Sequence, residues 1–147
     1  MLNEIEASSL LERYFDTQWG ARTPINWDND NATPSGSHVA FTIDHAASVT
    51  LGMGAVDADG FRTETYRNVG VLTVQVFTPQ GTGTEESREL TEGVRSILQG
   101  FQSGSLRVKE VTPRKVGEDG NGFWQVNCDA SFEYKEVRRI PTAPTEI

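Results

Sequence analysis

The sequence predicts a single α+β domain: a small mixed, mainly antiparallel sheet, two helices packed on one face, and a long projecting β-hairpin. Two segments have the three- and four-residue apolar spacing of amphipathic helices. Several others alternate apolar and polar residues as strands do, without the regular strand–helix–strand order of a parallel sheet. A length of 147 residues is sufficient for one conventional core.

The opening helix is predicted over residues 2–18. Its apolar residues recur at helical spacing, and acidic residues are available for the solvent side. Trp19 and Gly20 end this helix, a short extended piece follows at residues 24–27, and residues 28–37 form a polar turn. The apolar set of the helix consists of Ile5, Leu10, Leu11, Tyr14 and Phe15.

Two long extended segments, residues 37–50 and 61–78, are predicted to form the hairpin. In the first segment, Val39 and Phe41 alternate with polar residues. The centre of the second segment is apolar on both phases, which is typical of a strand covered on both sides. Residues 52–60 join the two segments, which at about 3.3 Å per residue extend well beyond a compact core.

A second helix is predicted to begin at a capping box, Thr82 followed by Glu85, and to run to about Phe101. Its apolar stripe is expected to face the sheet. A strand over residues 106–111 and a glycine-rich turn over residues 117–122 follow. The stripe consists of Leu90, Val94, Ile97, Leu98 and Phe101.

The closing strand has the clearest alternation in the chain. One of its faces is therefore core, and the other meets water or a partner. The prolines that follow Glu136 remove backbone donors, so residues 138–147 are predicted to leave the domain, residues 1–137, as an extended C-terminal tail. The apolar phase of the strand consists of Trp124, Val126, Cys128, Ala130, Phe132 and Tyr134.

Charge and composition exclude several classes of protein. A net charge of −8 argues against a surface that coats DNA or RNA, which needs clustered lysine and arginine. The single cysteine, Cys128, excludes a disulfide framework and is predicted to be a small buried hydrophobe. No membrane span and no signal peptide are recognised, so the protein is expected to be made in the cytoplasm.

No catalytic, metal-binding or phosphate-binding group of residues can be assembled, so we predict that the protein is not an enzyme and needs no metal or cofactor. His38, Asp44 and His45 form the single histidine–carboxylate cluster, and we predict solvated strand residues because His45 points away from the other two. Residues 57–60 resemble part of a calcium loop but lack the flanking carboxylates. The Gly-Thr-Gly at residues 81–83 lacks the rest of a phosphate-binding loop.

Three segments carry a likeness to a known family. They are PINWDN at residues 24–29, VQVFTPQGTG at residues 74–83, and GFW at residues 122–124. Together with the opening helix, the long hairpin, the second helix and the last alternating strand, this order resembles the tail terminator proteins of long-tailed bacteriophages. The resemblance covers most of residues 1–136.

The resemblance implies a structural virion protein that forms a ring, expected to be a hexamer, on the head-proximal end of the tail tube. Such a ring stops tube polymerisation and offers a docking surface to the head connector, or neck, protein. The implied partners are other copies of the chain, the tail tube protein and the head connector, and the implied location is the head–tail junction. DNA would pass through the ring without sequence-specific binding, which suits an acidic protein.

Two segments are predicted to be interface. The hairpin tip, residues 53–60, mixes apolar and acidic residues and is hard to bury within a small domain, so we expect it to contact the tube or a neighbouring subunit. A mobile loop is the alternative there. The C-terminal tail can order on a neighbour, although it is not part of the family pattern. The interface residues are Met53, Ala55, Val56, Asp57 and Asp59 at the tip, and Arg138, Arg139 and Ile140 in the tail.

Three alternatives stay open. A neck or head–tail adaptor protein would join head and tail without terminating the tube. A small metal-dependent hydrolase would use His38, His45 and nearby acidic residues. A host adaptor would bind one protein partner as a monomer. The position of the subunit in a particle, its metal content and its mass in solution distinguish these alternatives.

Overall fold

The structure, a computed structural model, describes residues 2–28 and 34–142. Over these ranges the chain forms two helices and one open, mostly antiparallel sheet of seven strands, which confirms the predicted α+β class. Part of the predicted polar turn, residues 29–33, and the end of the predicted tail, residues 143–147, lie outside the described residues. The elements are α1 (Glu4–Trp19), β1 (Ile25–Trp27), β2 (His38–Met53), β3 (Phe61–Pro79), α2 (Glu85–Leu98), β4 (Gln102–Ser103), β5 (Leu106–Val108), β6 (Thr112–Glu118) and β7 (Phe123–Pro141).

Three long strands form the centre of the sheet. β2 and β3 make the predicted antiparallel hairpin, and β3 pairs with β7 along its whole length, from Phe61 opposite Pro141 to Pro79 opposite Phe123. β1 lies parallel to the start of β2. β6 pairs with the first half of β7, and β5 follows on the same edge. Along the main path the strand order is β1-β2-β3-β7-β5-β4.

The opening helix ends where the sequence predicts. The side chain of Asn3 accepts the backbone N–H of Glu6 at 2.8 Å at the N-terminus, and Gly20 follows the last turn at a φ of 61°. Ile5, predicted to be apolar core, is instead 75% exposed because the buried stripe lies on another side of the helix. That stripe has four-residue spacing and consists of Ala7, Leu11, Phe15 and Trp19.

The predicted capping box at the second helix is wrong. The hydroxyl of Thr82 donates to the carbonyl of Pro79 at 2.8 Å, so it stabilises the preceding turn, and Thr84 is the N-cap. The helix also ends three residues before Phe101, because Gly100 adopts a φ of 77°. Over the residues described, neither helix is long and apolar enough to cross a membrane.

The core lies between the two helices and one face of the sheet. The predicted alternation of the closing strand is confirmed from Cys128 to Tyr134, and Trp124 and Val126 are half-buried. The aromatic rings of Phe15 and Phe41 pack at 5.0 Å between centroids, which joins α1 to β2. Strand residues that are buried in this core include Val39, Phe41, Leu72, Val74, Val76, Cys128, Ala130 and Phe132.

The opposite face of the sheet has neither α1 nor α2 packed on it, and we call it the helix-free face. The prediction that β3 is covered on both sides is therefore wrong: Val71, on this face, is 39% exposed. β3 is apolar on both phases because β-branched residues suit a pleated strand even where it meets water.

The last strand extends further than the sequence predicts. β7 runs to Pro141, so the proposed domain boundary after residue 137 falls inside a strand, and residues 138–141 are not a free tail. Arg138, Arg139 and Ile140 lie opposite residues of β3 in an unbroken register. A proline at the end of a strand costs the ladder at most one hydrogen bond, which explains why this segment continues the sheet.

Candidate protein interface

The three long strands continue past the helices as a projection, which we call the arm. It consists of residues 46–53 of β2, 61–69 of β3 and 134–141 of β7, with the connecting turn at residues 54–60. The part of β3 within it spans about 30 Å at 3.3 Å per residue. Every residue of β2 in the arm is exposed. The predicted projecting hairpin is present, but with a third strand that was not predicted.

The third strand makes the arm more stable than a two-stranded hairpin. An isolated two-stranded hairpin is marginally stable in water, whereas a third strand satisfies the backbone groups on both edges of the middle one. In the arm, β3 pairs with β2 on one side and with β7 on the other. Register shifts in β2 at residues 45–47 and 50–52 add local twist. The arm can therefore hold its form without a helix packed against it.

The tip of the arm is a turn held by side-chain hydrogen bonds and ion pairs. One carboxylate oxygen of Asp57 accepts the backbone N–H groups of Asp59 and Phe61, at 2.9 and 3.1 Å. The guanidinium of Arg139 lies 3.4 Å from the carboxylates of Asp57 and Asp59 and 3.8 Å from the ring centroid of Phe61. The bond from Phe61 N–H first, and those from Asp59 N–H and Arg139, hold the pKa of Asp57 below its ordinary value.

The two predicted interface segments meet at this tip. Arg139, from the segment predicted as a tail, binds acidic residues of the predicted hairpin tip. Met53 and Val56 are 67% and 56% exposed, and Ala55 is exposed beside them. Ile140 is half-buried in the strand. The tip therefore presents apolar side chains on a turn whose charges are largely paired within the chain.

At the root of the arm, the core-facing side of the sheet changes from apolar to polar. The Asn68 amide donates to the Glu136 carboxylate at 3.0 Å and accepts the hydroxyl of Ser48. Glu136 also pairs with Arg138 at 3.1 Å. These side chains line a cavity of about 210 Å³. Apolar periodicity gives no signal for this network, although Asn68 and Glu136 occupy the core phase of their strands and are buried.

A histidine joins this network to the opening helix. The His45 ring nitrogens lie 3.0 Å from the hydroxyl of Ser8 on α1 and 3.4 Å from that of Tyr134 on β7. Burial is the main cause that raises the pKa of the Tyr134 hydroxyl. The first turns of α1 are thus tied to the root of the arm by hydrogen bonds and not by apolar packing alone.

A second polar group lies further out on the same side of the arm. The Glu64 carboxylate accepts the Tyr66 hydroxyl and pairs with Arg62 at 2.7 Å. The bond from Tyr66, then that from Arg62, lowers the pKa of Glu64, and the same bond raises the pKa of Tyr66. Charges on this side of the arm are therefore paired with each other.

The prediction that His45 points away from His38 and Asp44 is confirmed. His38 lies on the helix-free face, while His45 faces the helices, and the two are seven residue steps apart on β2, about 23 Å. The prediction that His38 is solvated is wrong: it is 6% exposed because it packs between Phe77 and Phe123, at 4.7 and 5.0 Å between centroids. In the described ranges, no group of three His, Cys, Asp or Glu residues could hold a metal ion.

The free cysteine has the environment that the sequence predicts. Cys128 is buried in the core strand β7. Burial raises the pKa of its thiol to about 12, so the nucleophilic thiolate is scarce near neutral pH. This environment suits packing and not covalent chemistry.

Comparisons with known proteins give information about the fold. No family model and no curated protein matches the chain. Nine chains of solved structures match it. One of them, whose name states no function, aligns with a TM-score of 0.56 at 20% identity, over 94% of this chain and 98% of that one. A likeness at this level of identity shows a shared fold and carries no activity with it.

Proposed function

We propose that the protein is a structural virion component that caps the head-proximal end of a phage tail tube. In this role, copies of the chain join into a ring, expected to contain six, that stops tube polymerisation. The ring then offers a docking surface to the head connector. The proposal combines the family resemblance of the sequence with the arm described above.

The arm is the observation that supports the proposal most. Ordering its residues costs backbone entropy, and little apolar surface is buried in return within one copy of the chain. Met53 and Val56 at the tip are more than half exposed, so covering them with a partner would be favourable. A contact with the tube or with a neighbouring subunit accounts for both features. The net charge of −8 suits a ring through which DNA passes without being held.

Deletion of the gene in the phage tests the role directly. We expect tubes of uncontrolled length in the deletion mutant and normal tails after complementation with the wild-type gene. Complementation with Met53→Asp/Val56→Asp should fail, because two charges then occupy the contact. Val116→Asp, at a 45% exposed position on β6 away from the arm, is the matched control and should restore normal tails. Tails of normal length in the deletion mutant would contradict the proposal.

A neck or head–tail adaptor role is distinguished by position. A labelled subunit at the end of the tube supports termination, whereas a label on the head side of a separate terminator supports the adaptor. The hydrolase alternative has less support, because His38 and His45 lie on opposite faces of the sheet. Elemental analysis tests it, since stoichiometric metal that is lost in His38→Ala or His45→Ala would favour an enzyme.

A further inference from the structure

The helices and the helix-free face differ in their balance of acidic and basic residues. α1 carries four acidic residues and one basic residue, and α2 carries four acidic and two basic residues. On the helix-free face, acidic and basic residues are mixed, and three of the basic residues are paired: Lys109 with Glu133 at 3.8 Å, Arg114 with Asp129 at 3.5 Å, and Arg139 with Asp57 and Asp59 at 3.4 Å. Three other basic residues on this face are not paired in this way.

These three residues, which we call the cation cluster, are Arg67, Lys135 and Arg107. Arg67 on β3 lies directly opposite Lys135 on β7, and Arg107 on β5 lies opposite Glu133, two residues along β7 from Lys135. All three are exposed, and within the described ranges no acidic side chain lies within ion-pair distance of them. Arg67 and Lys135 are like charges directly opposite each other, which destabilises a sheet, whereas Arg107 has the acidic Glu133 opposite it.

A complementary group lies on the second helix. Glu85, Glu89 and Glu92 recur at four- and three-residue spacing, so they form one stripe along α2. The stripe points away from the core, because the buried residues of this helix lie on its opposite side. All three glutamates are exposed, and no basic side chain in the described part of the chain pairs with them. Glu85 and Glu89 are like charges at four-residue spacing and repel each other, while Glu85 also gains from its place in the first turn of the helix.

We propose that the cation cluster of one copy binds the glutamate stripe of α2 on a second copy. The stripe spans about 10 Å at 1.5 Å per residue, and the cluster, three strands wide, spans about 10 Å at 4.8 Å between strands. The two surfaces are different, so the contact is heterologous and closes into a ring if the rotation permits. The inference rests on the proposed function, because it names the surfaces that join the copies of that ring.

A nucleic acid is a weaker candidate for the same cluster. Asp44, Asp129 and Glu133 lie on the same face as the three basic residues and would repel phosphates. The net charge of −8 adds a long-range repulsion. The same charges act on a second copy, so the preference for the stripe rests on the match in number and in span between its three carboxylates and the three basic residues.

Exchange of charges between the two surfaces tests the contact. The face variant is Arg67→Glu/Lys135→Glu, and the helix variant is Glu85→Lys/Glu89→Lys, all at exposed positions. In sedimentation velocity at low salt, we expect wild-type protein to assemble and each variant alone to associate at least about tenfold more weakly. An equimolar mixture of the two variants should assemble again, since each then meets an opposite charge. Arg13→Glu, an exposed change on α1, is the control and should behave as wild type.

Several outcomes would overturn the proposal. Assembly of either variant at the wild-type strength, a mixture that stays dissociated, or a wild-type chain that is monomeric at high concentration would each do so. A labelled DNA duplex tests the competing partner: DNA binding that is lost in the face variant while assembly is unchanged would assign the cluster to nucleic acid. Assembly that persists in both variants would refute this contact and leave the proposed function standing, whereas normal tails without the gene refute the function itself.

Discussion

The same three strands have different surroundings in the two halves of the molecule. In the part of the sheet that the two helices cover, which we call the body, Leu72 and Phe132 are fully buried. In the arm, the same side of the same strands carries Glu64, Asn68 and Glu136, which bond to other polar side chains. The backbone hydrogen bonds between the strands continue beyond the core. The alternation of apolar and polar residues does not, because there is no core to bury the apolar ones. Stability is therefore expected to come from the body, and the arm is left available for contact.

The largest difference should appear when a side chain is removed from each half. Phe132→Ala in the body is expected to cost about 3–5 kcal/mol of unfolding free energy, because it leaves a cavity in the packed core. Val137→Ala on the arm, at a 40% exposed position, should change it by less than about 0.5 kcal/mol. Urea denaturation of both variants measures this. An equal loss in the two would mean that the arm is as tightly packed as the body.

Gly70, at the boundary between the body and the arm, should not accept a side chain. A Cβ at Gly70 would lie 2.4 Å from a ring carbon of Phe132 and 2.8 Å from the backbone oxygen of Asp44, so Gly70→Ala is expected to cost about 1–3 kcal/mol. Gly52 in the arm has open space at the same point, and Gly52→Ala is its control, with a change under about 0.5 kcal/mol. Urea denaturation measures the unfolding free energy of both variants. An unchanged value for Gly70→Ala would show that the Phe132 ring can move aside.

The polar root of the arm should contribute less than the core. Asn68→Ala removes the partner of both Ser48 and Glu136, and we expect a loss of about 1 kcal/mol in unfolding free energy. Thr63→Ala, at an exposed position on the other face of the same strand, is the control. If both variants are neutral, the network does not stabilise the fold.

The smallest effect should be local and depend on pH. The pKa of Asp57 is lowered in the folded state, so its contribution is present above its unfolded pKa, near 3.8, and is lost as pH falls through the folded value. Amide exchange at Asp59 and Phe61, corrected for the intrinsic rate, should therefore rise in acid while that of Leu72 does not. Asp57→Asn should remove this pH dependence. Unchanged protection of the tip in acid would contradict the bonded turn.

Local patterns predicted the body better than the arm. The helices and the core part of β7 have periodic apolar residues because each buries one side, and this part of the fold follows from the sequence. Arg138 and Arg139 have no such signal, since both are charged and exposed. Their partners in β3 and at Asp57 are distant along the chain. Composition was enough to predict that the tip residues form an interface. Their hydrogen bonds to the last strand follow only from the pairing of β3 with β7, which the sequence does not reveal.

Electron microscopy of the purified protein mixed with its tube protein tests the central claim most directly, because it observes assembly itself. We predict tubes of limited length that carry a ring of this protein at one end, and no such ring with Met53→Asp/Val56→Asp. Tubes that grow without limit and carry no ring in the presence of the wild-type protein would contradict the account.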